Sequence, residues 1–206
     1  MRVLTNNTTS QYHHGNLRAA VLGRAPEFIS EIGLEKFTLR GLARDLGVTH
    51  GAVYKHFTDK RDIFVALSLE GHGAFSQALA KSLRVEKGVE AAIKGVSRAY
   101  VRWALEHSST YQIMFGSRLN EDARYPDLEK AIETTFRTVE DAFEFGEFST
   151  ARKRELTVAL MTQLHGYCDL IRLQRIRVKD AAAIQRYLTR ILSPFLAGVQ
   201  AEAASK

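Results

Sequence analysis

Between Thr38 and Arg61, five basic residues (Arg40, Arg44, Lys55, Lys60 and Arg61) stand against two acids, Asp45 and Asp59. That net of three positive charges is half of the formal +6 carried by all 206 residues. Cations grouped in this way suit phosphate, because neutralising a duplex backbone supplies most of the sequence-independent affinity for DNA. Thr49, His50, Tyr54 and His56 lie among them, with hydrogen-bonding groups of the kind that meet phosphates and base edges. Thr38 to Phe57 reads as a helix, a tight turn at Gly47 and a short second helix. Leu42, Ala43, Leu46, Val48 and Val53 would fill the angle between the two. That leaves His50, Gly51, Tyr54, Lys55 and His56 on the outer side, which fits a major groove whose floor and phosphate walls lie close together. The competing reading is a solvated charged face.

Other chemistry is poorly represented. There is no Gly-rich phosphate loop, no Gly-x-Ser-x-Gly elbow and no His-Glu-x-x-His, and no acid pair sits in an apolar setting. The sequence therefore predicts no enzyme and no cofactor. A single cysteine, Cys168, excludes an intramolecular disulfide and any multi-thiolate metal site. It reads either as a buried structural thiol or as one that touches a ligand. His13 and His14 lack a cysteine or acid at ligand spacing. They read as a polar arm, a minor-groove or phosphate contact remaining open, and no metal is expected.

These residues must be positioned by helices, because every long apolar pattern has the helical period. Leu17, Val21, Ala25, Phe28, Ile29 and Ile32 form a first stripe, with Asn16 as N-cap and Gly33 as stop. Leu39, Leu42, Ala43 and Leu46 form the second, capped by Thr38 and stopped by Gly47. After the short segment from Thr49 to about Phe57, a long stripe runs through Ile63, Leu67, Phe75, Leu79 and Leu83. Further stripes follow over Val89 to Ala104, Ser109 to Phe115, Leu128 to Phe143, Leu156 to Ile171 and Ile184 to Val199. No stretch alternates with period two for long enough to be a strand. The prediction is all-α, with about nine helices. Pro26 and Pro194 fall inside stripes, where proline should kink or break a helix. Helix one should start near Pro26 or bend there.

The chain is 45% hydrophobic and 25% charged with 3 prolines, a globular composition with room for one core and a small appended module. No apolar run approaches the roughly 20 residues of a membrane span. The first ten residues are polar and do not read as a signal peptide, so the expectation is a cytoplasmic protein.

The run from Gly33 to Leu67, with Gly33-Leu34-Glu35-Lys36-Phe37-Thr38-Leu39-Arg40 as entry and Val48 to Lys60 as core, resembles the DNA-binding domain of TetR-type (tetracycline-repressor-like) regulators. Tyr12 to Arg18 is similar to the lead-in of one branch of that family. Tyr100 to His107, then Tyr111 to Gly116, then Leu164-His165-Gly166 resemble the branch whose C-terminal domain carries a Trp-His-Gly signature, with Leu164 in the place of the tryptophan. The resemblance implies a ligand-responsive regulator, most often a repressor, that binds a near-palindromic double-stranded operator as a homodimer. An activator of the same fold and a sequence-independent DNA-binding protein are the alternatives.

By position, the resemblance gives Arg40 a base edge to read and makes Thr38, Tyr54, His56 and Lys60 phosphate contacts. Thr49 and His50 open the recognition helix, Lys55 faces the groove, and Gly51 permits close backbone approach. Residues 1 to 62 would form the DNA-binding domain and 63 to 206 the effector-binding and dimerisation domain. The aromatic group reads as core on composition alone. The resemblance turns it into the wall of a cavity for a small apolar or aromatic effector, formed by Tyr100, Trp103, Tyr111, Met114, Phe115, Phe136, Leu164, His165 and Cys168. The two closing stripes imply a four-helix interface between subunits that contains Leu160, Tyr167, Ile171, Ile184, Leu188, Ile191 and Phe195.

Overall fold

The computed structural model describes residues 17–85, 87–116 and 118–204, so Asn16, His13 and His14 lie outside the described residues. Those residues fold into nine α-helices with two short 3₁₀ turns and no strand. They form two compact units that divide between Ile63 and Phe64.

The first unit contains α1 (Leu17–Ile32), α2 (Leu39–Asp45) and α3 (His50–Tyr54). Val21, Leu22, Ala25, Ile29, Phe37, Leu42, Ala43 and Val53 are buried together as its core. Pro26 neither begins nor ends α1, which is helical from Leu17 to Ile32. The missing N–H costs one backbone bond, and burial of Val21, Leu22, Ala25 and Ile29 offsets the loss. At the end of α2, Val48 N–H bonds Ala43 O at 3.0 Å and Gly47 N–H bonds Arg44 O at 3.1 Å. This closure requires a left-handed residue, and Gly47 supplies it with φ +69°. Each helix of the pair has a threonine cap. Thr38 Oγ1 accepts from Gly41 N–H at 3.0 Å and Thr49 Oγ1 from Ala52 N–H at 3.3 Å.

Helix α4 (Lys60–Leu83) begins in the first unit and continues into the second. Its start is a double cap, in which Asp59 Oδ1 accepts from Arg61 N–H and Asp62 Oδ2 from Thr58 N–H. The second unit continues with α5 (Val89–Glu106), α6 (Ser108–Gly116), α7 (Pro126–Glu140), α8 (Thr150–Arg172) and α9 (Ala181–Ala204). Pro126 opens α7, where its lost donor would be unpaired in any case. Pro194 lies inside an uninterrupted α9. The core is α5, whose Ile93, Val96, Tyr100 and Val101 are fully buried, clasped by Phe75, Leu79, Val139, Phe143, Leu160 and Leu164. Arg152 of α8 holds Glu202 of α9 through two parallel bonds, Nε to Oε1 at 3.0 Å and Nη2 to Oε2 at 2.8 Å. Among the described residues no helix is long and apolar enough to cross a membrane.

Candidate nucleic-acid interface and ligand cavity

On the first unit, α2 and α3 enclose a hollow of about 360 Å³ lined by Arg40, Ala43, Arg44, Gly47, Val48 and His50. The turn at Gly47 brings the α2 arginines beside the start of α3. Thr38, Arg40, Thr49, His50, Gly51, Tyr54, Lys55, His56 and Lys60 are all exposed. Val53, by contrast, is wholly buried and fixes the roll of α3. His50 and Tyr54 pack edge to face on one side of that helix, ring centres 5.4 Å apart. Arg44 borders the same hollow and belongs with these residues, although its position on α2 did not single it out in the sequence.

The two acids of the stretch are both engaged. Asp45 Oδ2 lies 2.7 Å from Arg24 Nε of α1, and that guanidinium, which also meets Glu31 at 2.9 Å, holds the Asp45 carboxyl below its usual range. Asp59 caps α4. Neither stands as a bare negative charge against the cations around it. Thr38 and Thr49 have their side-chain acceptors committed to helix caps, so only their hydroxyl protons are left for a phosphate.

The second unit holds a cavity of about 460 Å³. Its wall is His72 from α4, Tyr100 from α5, Met114 and Phe115 from α6, Ile132 and Phe136 from α7, and Met161, Thr162, His165 and Gly166 from α8. A second hollow of about 470 Å³ shares Met114 and Ile132 with it and is lined by polar groups, among them Ser68, Asn120 and Glu129. Gly71 admits α6 this close to α4, since a Cβ there would lie 2.6 Å from Met114 Sδ and 2.7 Å from Thr110 Cγ2.

Five of the nine residues that the resemblance gave to this cavity do line it: Tyr100, Met114, Phe115, Phe136 and His165. Four do not. Trp103 packs its ring 4.8 Å from Phe75 and stacks on His107 at 4.5 Å, so its faces are covered by neighbours and it does not line the cavity. Leu164 and Cys168 point into the core one turn apart, and burial pushes the Cys168 thiol up to about 12, an unreactive state. Tyr111 stands behind the wall. Its hydroxyl lies 2.9 Å from the Tyr100 hydroxyl and 2.6 Å from His165 Nδ1, while His165 Nε2 faces Asp169 at 3.6 Å. Burial raises both tyrosine pKa values well above the phenol range, so both hydroxyls keep their protons.

His72, Ile132, Met161, Thr162 and Gly166 are the residues of the wall that sequence reasoning missed. For His72 a signal existed: Ser68, His72 and Ser76 recur every fourth residue on an otherwise apolar face of α4. His72 is 1% exposed, and burial lowers its pKa from 6.5 to about 4. Because the folded value is below the unfolded one, the unfolded chain takes up the proton first. Stability from this group is complete above about pH 6.5 and is lost as pH falls from there toward 4, with a slope approaching ~1.4 kcal/mol per pH unit. Denaturant titrations at pH 7, 6 and 5 should show a slope in the parent that flattens in His72→Phe.

The residues foreseen at a subunit interface are mostly turned inward. Leu160, Tyr167 and Leu188 are buried in the protomer, and the Tyr167 hydroxyl donates to Ile184 O at 2.8 Å. Ile171, Ile184 and Phe195 are partly buried against the same core. Only Ile191 is exposed, at 37%. The strongest apolar stripe on each helix serves the protomer itself, which is why periodicity selected it. A different strip faces outward, with Tyr187, Ile191, Pro194 and Gly198 on α9 and Ala159, Gly166, Leu170 and Leu173 on and just after α8.

Residues 21–67 match the sequence model of bacterial regulatory proteins of the tetR family, and residues 93–195 match that of the tetracyclin repressor-like C-terminal domain. The HTH-type transcriptional repressor AcnR of Corynebacterium diphtheriae is 33% identical over 69 residues, 34% of this chain and 36% of that protein. Matches to this and two other curated relatives span between 33% and 45% of those proteins' own lengths. A solved protein of unknown function from Rhodococcus sp. RHA1 superposes with a TM-score of 0.74 at 26% identity, over 92% of this chain and 98% of that one. A tetR-family regulatory protein from Rhodococcus RHA1 does so with a TM-score of 0.67 at 18% identity, over 87% and 94%. The first match runs from the first unit four residues into the second, the other lies within the second, and with them the chain belongs to the TetR family of bacterial regulatory proteins.

Proposed function

We propose that the chain is a homodimeric, ligand-responsive transcriptional repressor acting in the cytoplasm, with residues 1 to 62 binding a near-palindromic operator and residues 63 to 206 binding effector and partner subunit. The observation that carries this reading is the hollow shared by Arg40, Arg44 and His50, beside which Tyr54, Lys55, His56 and Lys60 stand exposed while the nearby acids are engaged elsewhere. Arg40 reads a base edge, and Lys60 anchors the backbone. Within the family we assign the chain to the branch with a Trp-His-Gly-type C-terminal domain, with buried Leu164 standing for the tryptophan and His165 and Gly166 on the cavity wall.

The cavity takes a small apolar or aromatic effector. One of its wall residues, His72, lies on the same unbroken helix that begins at Lys60, so an effector acts on the element that carries an anchor. A useful switch needs a coupling of roughly 1–3 kcal/mol. The outward strips of α8 and α9 form the subunit contact, where Gly166 and Gly198, whose added Cβ would meet nothing within 4 Å, let helices of two copies approach.

Selection of bound sequences from a random DNA pool tests the reading, and a palindromic motif is the expected result. Arg40→Ala should then relax preference at one half-site position by about 1–3 kcal/mol. Lys60→Ala should weaken all sequences alike. Failure to enrich any motif, with equal loss on operator and random DNA for Arg40→Ala, overturns sequence-specific recognition.

Gly51 offers a test with opposite signs. Nothing lies within 4 Å of a Cβ built there, so the protein's own packing does not require glycine in α3. Gly51→Ala should stabilise the free protein by about 0.5–1 kcal/mol through helix propensity. If DNA backbone approaches this face, the same methyl should weaken operator binding. Thermal melts and gel-shift titrations of one preparation check both halves.

A further inference from the structure

We propose that the cavity of the second unit selects an uncharged, largely apolar alcohol or phenol whose hydroxyl donates a hydrogen bond to His72 Nε2. The inference rests on reading this cavity as the effector site and adds the chemistry that it selects.

Most of the wall's other polar groups are engaged by the protein itself, Thr162 Oγ1 among them, which donates to Val158 O at 2.8 Å. The Tyr100 hydroxyl bonds that of Tyr111, Tyr111 bonds His165 Nδ1, and His165 Nε2 lies 3.6 Å from Asp169, half-exposed. Phe115, Ile132 and Phe136 offer only carbon. His72 is the exception: its Nε2 is buried and has no hydrogen-bond partner among the described residues. An imidazole nitrogen left dry and unpaired is destabilising, and a ligand that reaches it removes the penalty.

The proton count on Thr135 decides what the ligand must bring. Thr135 Oγ1 donates its single proton to Ala131 O at 3.1 Å. Toward His72 Nδ1, 2.8 Å away, and Ser76 Oγ, 3.0 Å away, it therefore accepts. On that arrangement the imidazole proton is assigned to Nδ1, which leaves a lone pair on Nε2. Burial keeps the ring neutral at physiological pH, since its pKa is lowered to about 4. A lone pair calls for a donor. An ether oxygen or a carboxylate would set lone pair against lone pair, and the cavity wall contains no lysine or arginine to hold an anion.

Ser68, one turn before His72 on α4, repeats the pattern. Its Oγ is buried with no hydrogen-bond partner among the described residues and borders the polar hollow beyond Met114. The two atoms, at i and i+4 on α4, border two adjoining hollows that share Met114 and Ile132.

Calorimetric titration of the full chain with 4-hexylphenol, its methyl ether 4-hexylanisole and 4-hexylbenzoate tests the inference. The phenol should bind at least about tenfold more tightly than the ether, the loss of one hydrogen bond to a buried acceptor, and the benzoate should not bind measurably. Thr135→Val removes the acceptor that holds the proton on Nδ1, which frees it to move to Nε2, so this variant should lose or reverse the preference for phenol over ether. His72→Phe should abolish the preference and still bind both. The parent comparison decides the matter if either variant fails to fold. Equal affinity for phenol and ether, tightest binding of the benzoate, or no binding of all three overturns the proposal, as does an unchanged preference in both folded variants. If phenol and ether bind equally and both release DNA, the effector reading stands and this inference falls. If the phenol binds with the expected preference and DNA stays bound, the ligand class stands and the effector reading falls.

Discussion

Operator affinity should fall about 10³–10⁵-fold between 50 and 200 mM monovalent salt. The expectation follows from which charges the fold leaves facing a partner. Asp45 is held by Arg24 and Asp59 caps α4, so neither acid offsets Arg40, Arg44, Lys55 and Lys60 on the exposed face. Two copies presenting these cations would neutralise on the order of 6–10 phosphates, and each neutralised phosphate releases counterion with a slope near −0.9 in the log–log plot. Arg44→Ala, which alters one contact in each subunit, should make that slope shallower by about two. Fluorescence anisotropy across a salt series measures both quantities. A binding constant that barely moves over this range would exclude the basic face as the binding surface.

Neighbouring residues on α9 should give opposite outcomes when charged. Leu188 is 1% exposed inside the protomer core, so Leu188→Glu places an unpaired carboxylate among apolar side chains. Its cost should exceed about 4 kcal/mol, enough to unfold the second unit. Tyr187, one residue earlier, is 48% exposed. Tyr187→Glu should leave the protomer's own stability within about 0.5 kcal/mol, as surface changes usually do. In a dimer joined through this strip it introduces two symmetry-related carboxylates and should raise the dissociation constant at least a hundredfold. Sedimentation should therefore find dimers for the parent, folded monomers for Tyr187→Glu and unfolded chain for Leu188→Glu. A parent that is monomeric at micromolar concentration, or a Tyr187→Glu dimer as tight as the parent's, would move the interface elsewhere.

The amino-acid sequence alone determined the helices and the motif. Periodic apolar residues, Thr38 and Thr49 ahead of their helices and Gly47 between them are local signals, and local hydrogen bonds decide what they build. Hence α2, the turn and α3 were legible, with the outward side of α3 that follows from burying Val53. Pro26 and Pro194 start or end neither helix, for the complementary reason. A lost backbone bond is local, while the packing that keeps α1 and α9 continuous comes from residues distant in the chain.

Tertiary structure alone decided which face of each helix meets what. Trp103 and Tyr100 lie three residues apart on α5 and both pack on Phe75, yet His107 stacks on the tryptophan while the tyrosine borders the cavity. On α9, Leu188 and Tyr187 differ by one position and by about 100° around the axis, so one enters the core and the other faces out. His72 pairs one ring nitrogen with Thr135 of α7, 63 residues further on, while the other has no hydrogen-bond partner among the described residues. A helical period says that a residue shares a stripe. Which neighbour fills the space beside that stripe depends on how several helices of the second unit pack, and no segment of the chain encodes that by itself.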